Sequence, residues 1–300
     1  MGNHHGKTYW HDGTLPASYA PGQTPVMPYR WLLPLSITGS ALVNLPWSPA
    51  SEPNVIELFE IDARAGFDQP AKKHSVTISR GPKALIEYYQ FSAVSDDQLQ
   101  NAFKQNLEGS QSWNAIEKVT WRFDTAHNAS ILDIAGTGPV DWDEDGIGKS
   151  LSLPGGGFSP PQRRQRGANA DATAPYLINP DFNCTVTTLR MPNETSDSDW
   201  SYNTAYNTVI YGQSFRRSFE RRDGTIRMIR ANRTIQTELP ADIAAKDTAR
   251  LPKFDNSMAW AYFKQGTLAK QAVKEQVPAT FEVDWVKDSS ACLNTTFAKP

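Results

Sequence analysis

YGQSFRRSFERRDGTIRMIRANRTI, residues 211–235, decides the fold. Asp223-Gly224 is a strong hairpin signal, because a two-residue type I′ turn needs positive φ at both central residues. Such a turn sets Glu220 opposite Arg227, Phe219 opposite Met228 and Arg217 opposite Arg230. Phe215, Phe219 and Met228 share one face, and the facing arginines lie on it too. Two like charges there call for a nearby carboxylate or bound anion, unless the twist carries both heads into water. Two interpretations stay open. The arginine stems cover apolar surface, or Arg217, Arg222 and Arg230 form a site for an anion or acidic partner. The acidic loop at residues 141–145 is the expected counter-charge for Arg217. A nucleic-acid ribbon is disfavoured, because the net charge of −2 leaves no basic bias elsewhere.

Outward from this hairpin, β-type segments succeed one another without alternating helices. IEKVTWRFD and ASILDIAG form a second hairpin-like pair, with Ile116, Val119, Trp121 and Phe123 facing Ile131, Leu132 and Ile134. Residues 74–92 read as two strands across a turn at Gly81-Pro82. SDDQLQNAFKQNLEGS gives the clearest helix, near residues 96–108: Ser95 caps it, Asp96 and Asp97 suit its first turn, and Leu99, Phe103 and Leu107 form one stripe. Residues 240–250 open a second helical piece, and the segment from Ser257 to Val273 reads as a third. Residues 137–182 form a long Gly/Pro/Arg loop, functional or ill-ordered by its length. The fold class expected is mainly β, sandwich-like and antiparallel, with a few short helices. Residues 1–60 read as one strand and then an extended, proline-studded strap that packs Trp31, Leu33, Leu35 and Trp47 onto a neighbouring body; the division expected is a strap region over 1–92 and a β-rich domain spanning 93–300.

Candidate chemistry is sparse. In VDWDEDGIGKS, Asp141, Asp143 and Asp145 occupy positions 1, 3 and 5 of a calcium-loop pattern with Gly146 at position 6, but Ser152 stands where a bidentate Glu is wanted. Calcium is therefore the one candidate cofactor, against a solvated turn or pairing with the arginines. Cys184 and Cys292 either bridge or stay as buried thiols, and neither has a neighbouring activator. His11 and Asp12 are adjacent in a probable strand and point to opposite faces. Serine-hydrolase elbows, phosphate loops and zinc spacings are absent from the sequence. No apolar stretch approaches the ~20 residues of a membrane-spanning helix, and the opening MGNHHGKTYW lacks a signal-peptide core.

GKTYWHDGT, residues 6–14, resembles the G-x-x-Y-W-x-D-x-T segment that closes the catalytic domain of bacterial multidomain transglutaminase-like proteins, which carry a β domain of unknown function in front. WLLPL, IDARAG, PADI and a Y-G-x-x-F-x-R…D-G-x-I…R pattern (Tyr211, Gly212, Phe215, Arg217, Asp223, Gly224, Ile226, Arg230) resemble the region C-terminal to that domain. The resemblance implies that residues 1–92 hold the tail end of such a domain. Asp12 would then be the triad aspartate that orients a histidine, with the cysteine and histidine lying before residue 1. It further implies a non-catalytic accessory or binding region, extracytoplasmic or periplasmic. Its partner would be the upstream catalytic domain, with a protein or cell-envelope ligand and no nucleic acid. A self-standing hydrolase or acyltransferase, and a calcium-stabilised binding module, are the alternatives.

Overall fold

The computed structural model describes residues 2–4, 7–9, 30–35, 37–108, 112–167, 171–202, 205–266 and 283–293. A first ribbon pairs β1 (Gly2–His4) with β2 (Lys7–Tyr9), and a second pairs β3 (Trp31–Leu32) with β4 (Val43–Asn44). β5 (Val55–Asp62) and β6 (Ala71–Arg80) precede helices α1 (Gly81–Phe91) and α2 (Asp96–Leu107). β7 (Ala115–Asp124), β8 (Ala129–Gly138), β9 (Asp143–Glu144), β10 (Lys149–Ser152) and β11 (Tyr176–Leu177) come next. Then come β12 (Phe182–Arg190), β13 (Trp200–Tyr202), β14 (Tyr206–Ile210), β15 (Gln213–Arg222) and β16 (Thr225–Thr234). β17 (Glu238–Leu239), α3 (Ala241–Arg250) and β18 (Trp260–Phe263) complete the longer elements.

Eight strands form one sheet in the order β14-β15-β16-β12-β5-β6-β8-β7, and four form a smaller sheet, β13-β18-β10-β9. The chain is thus mainly β with three short α-helices among the described residues, as composition and turn signals indicate. The large sheet is mixed rather than antiparallel throughout, because β12 and β5, distant in sequence, pair in parallel.

The hairpin register stands as read. Asp223 and Gly224 adopt φ of 42° and 73°, and Phe219 faces Met228, Glu220 faces Arg227 and Arg217 faces Arg230. On one face Phe219, Ile226 and Met228 pack with Ile61 and Leu189 under the smaller sheet, whose Leu151, Trp200 and Ala261 close that core. Helix α2, capped by Ser95 and Gln98 in a reciprocal box, packs Leu99 against Ile116, Val119 and Ile134 near the β7 edge. On the opposite face, Ile56, Ile78, Cys184, Val186, Ile229 and Ala231 are covered by residues 283–293 through Trp285 and Cys292. A disulfide joins Cys184 to Cys292, both within 2% of full burial. Arg80 donates to the Trp285 and Val286 carbonyls, and Arg216 to that of Leu293.

Several expectations change. Residues 81–91 are helix, not a second strand, because Pro82 sits in the first turn and ALIEYY buries Ala84 and Leu85 while Ile86 and Tyr89 stay exposed. Residues 260–263 are a strand of the smaller sheet; the rest of the helix expected there reaches into residues 267–273, outside the described residues. The boundary at residue 92 does not separate two bodies, since β5 and β6 lie between β12 and β8 in one sheet. Leu33 and Leu35 do not pack onto a neighbouring body, being 57% and 95% exposed, whereas Trp31 is half exposed with its indole N–H on Glu238 and Trp47 is partly buried.

Replacing both Cys184 and Cys292 by Ser removes a cross-link over a sequence separation of 108 residues. The chain-entropy model puts the cost at up to about 4–5 kcal/mol. Urea unfolding should show that loss in the double variant, and a reductant should not lower its midpoint further.

Candidate functional site

The facing arginines were the strongest candidate for binding, and their surroundings determine what they can do. The Arg217 side chain is 1% exposed. Its Nη2 donates to Asp255 Oδ2 at 2.5 Å, and its Nη1 to the carbonyls of Gly156 at 3.1 Å and Ser257 at 3.0 Å. Arg230 donates to the Gly157 carbonyl. Both guanidiniums lie against the Phe158 ring, 5.9 Å and 5.3 Å from its centre. Phe158 in turn meets Phe215 edge-on at 5.5 Å. The counter-charge of Arg217 is therefore Asp255 and not the 141–145 loop. Burial is the main influence holding Arg230 below the usual arginine range; Glu57 opposes it and Arg217 adds to it. Arg222 does not join this group: it is exposed near the turn, 3.6 Å from the Asp223 carboxylate. These contacts are internal ones, so the cluster closes a loop onto the sheet.

The acidic loop is a turn between β9 and β10. Asp145 Oδ1 accepts the N–H groups of Ile147 and Gly148, and its Oδ2 accepts the Tyr262 hydroxyl at 3.0 Å. Asp141 and Asp143 are exposed. Among the described residues no three His, Cys, Asp or Glu side chains are grouped to hold a metal ion. Asp12 lies outside the described residues.

Sequence inspection did not single out a polar row on the disulfide-bearing face. Glu220, Arg227, Thr188, Glu60 and His74 sit side by side across five strands. Arg190 donates to Glu60 at 2.5 Å, Arg227 to the Thr188 hydroxyl at 3.0 Å, and His74 Nε2 meets Asp133 Oδ1 at 2.8 Å. Burial holds Arg227 below its ordinary range, against the opposing charges of Glu220 and Glu60. The His74–Asp133 pair can orient an imidazole, but both cysteines are cross-linked and supply no thiolate beside it. A cavity of about 280 Å³ opens next to Asp133, floored by Leu58, Val76 and Ile78 and walled by Val283 and Trp285. The Asp223-Gly224 turn already set Glu220 opposite Arg227; that Thr188, Glu60 and His74 continue the row depends on strands far apart in sequence adjoining, which the sequence does not reveal.

Comparison with family models, with curated proteins and with solved structures gives no match.

Asp255 supplies a test of the cluster. Burial pushes its pKa up, yet the Ser257 hydrogen bonds and the Arg217 charge outweigh this and hold it below the ordinary value. Because the folded-state value is depressed, the carboxylate contributes stability above its unfolded pKa, near 4, which is lost as pH falls through the folded value. Asp255→Ala should destabilise the protein by about 3 kcal/mol at neutral pH, since it strands a buried guanidinium. It should also flatten the decline of melting temperature below pH 4.

Proposed function

We propose that this chain is a non-catalytic accessory region, built to support and bind, that works beside a transglutaminase-like catalytic domain in an extracytoplasmic compartment such as the periplasm. One observation carries the proposal: the residues of the Y-G-x-x-F-x-R…D-G-x-I…R pattern serve architecture. Tyr211, Phe215, Arg217 and Ile226 are buried. Asp223 and Gly224 make the turn, and Arg217 and Arg230 fasten the glycine loop. A pattern engaged in this way marks a scaffold whose partners meet it from outside. The buried cystine fits the same picture, because such bridges persist in oxidising compartments. The likeness of residues 6–14 to the closing segment of a catalytic domain makes that domain the first partner, with a protein or cell-envelope ligand beyond it. No described helix is long and apolar enough to cross a membrane.

Incorporation of a labelled amine into a glutamine peptide is the direct test. This chain should give no turnover, oxidised or reduced, and its cysteines should resist alkylation until the protein is unfolded. Turnover that disappears on alkylation would establish an enzyme instead.

A further inference from the structure

The cavity beside Asp133 joins an apolar interior to a charged edge. Its volume is about 280 Å³. Leu58 on β5, Val76 and Ile78 on β6 and Ile131 on β8 line it from the sheet, and Val283 and Trp285 line it from the covering segment. Leu58 and Val76 are only partly buried, although they lie on inner strands of an eight-stranded sheet. The space therefore suits an apolar group, and an apolar cavity of about 150 Å³ already admits a benzene ring. Thr120 faces Asp133 across β7 and β8, and Arg122 faces Ile131, so Arg122 and Asp133 are diagonal neighbours on the cavity face. Diagonal neighbours lie about 7–8 Å apart, within reach of a long side chain. Yet no ion pair joins these two. Asp133 Oδ1 meets His74 Nε2 at 2.8 Å, and its Oδ2 has no hydrogen-bond partner among the described residues. Arg122 is 60% exposed, and its one ion pair among the described residues is with Asp124 at 3.8 Å, beyond hydrogen-bonding distance. Asp284 also borders the cavity and is already paired with Lys287 at 2.8 Å. A cation and a carboxylate oxygen, neither bonded to the other, thus flank one apolar space.

We propose that this cavity binds a free α-amino acid with an apolar side chain about the size of leucine or phenylalanine. The ligand side chain lies on Leu58 and Val76 against Trp285. Its α-carboxylate accepts from the Arg122 guanidinium, and its α-ammonium donates to Asp133 Oδ2. A zwitterion carries both charges on one carbon, so it matches a cation and an anion that stand side by side. A purely apolar ligand would leave both unmatched, and a ligand of one charge would meet like charge at one of them. A residue inside a peptide chain carries neither charge, so the same chemistry disfavours peptides. The inference stands apart from the accessory role and holds whether or not the chain has enzymatic activity.

Isothermal titration of the purified chain with phenylalanine, phenylalanine amide and N-acetylphenylalanine tests it. Phenylalanine should bind, and each blocked analogue, lacking one charge, should bind about tenfold or more weakly. Arg122→Met should weaken phenylalanine by a similar factor and remove its advantage over the amide, because the carboxylate then has no cation to meet. Asp133→Asn should remove the advantage over the N-acetyl form in the same way. Arg122 is mostly exposed, so its replacement should leave the melting temperature unchanged. The comparison of analogues needs no variant, so misfolding of a variant cannot obscure it. No heat with phenylalanine at millimolar concentration, or equal binding of the three ligands by the wild-type chain, overturns the proposal. Binding that Arg122→Met leaves unaltered also overturns it and places the ligand elsewhere.

Discussion

Two arginines facing each other inside a β-hairpin are the constraint around which the rest of this molecule is arranged. A guanidinium 1% exposed has lost its water and needs acceptors in compensation. Around Arg217 these are one carboxylate and two carbonyls, brought by two segments far apart in sequence. The glycine run at 155–157 makes that approach feasible. A Cβ on Gly156 would stand 2.3 Å from that of Ala259, and one on Gly157 would stand 2.5 Å from Met258 Sδ. The loop bearing Phe158 is thereby pressed onto the sheet, and Leu153 hydrogen-bonds to Ala259 alongside it. One pair of like charges thus accounts for a triple glycine, an aspartate in a loop and the seat of the smaller sheet.

Local chemistry was legible in the sequence wherever neighbours in the chain decide the outcome. Asp223-Gly224 specified a register of ten residue pairs, because a two-residue turn leaves no slack. Ser95, with Asp96 and Asp97 behind it, specified a helix start, since a cap and the first turn it serves are neighbours in the chain. The need of Arg217 for a carboxylate was also legible, but its identity was not: Asp255 is 38 residues away and competed with a more acidic segment. The helix at 81–91 was misread because a short apolar run has no period long enough to distinguish strand from helix. The parallel pairing of β5 with β12, and the polar row that it completes, depend on a contact across more than a hundred residues. No local propensity encodes that.

The two faces of the large sheet are closed by different physics. Under the smaller sheet the core is aromatic and aliphatic, with Phe67, Trp142, Trp200 and Phe263 rings 5.0–6.2 Å apart. On the opposite face the cover is a short segment without long regular structure, residues 283–293. Such a segment has little apolar area with which to offset the entropy of ordering it. A covalent bond at Cys292 and arginine donors at both ends, Arg80 and Arg216, supply what burial alone does not. Farther along the same face, the row from Glu220 to His74 carries charges, with Arg190 donating to Glu60 and His74 meeting Asp133.

That bracing extends to the base of the exposed ribbon. Arg233 on β16 holds the Pro49 carbonyl, Asn54 N–H bonds to the Phe182 carbonyl, and Trp31 Nε1 donates to Glu238 at 2.7 Å. The apolar tip is therefore mounted on the central strands at one end and on the short β11–β17 pair at the other. Leu35 and Ile37 lie beyond that root, 95% and 108% exposed. Any surface that covers them must come from outside the described fold.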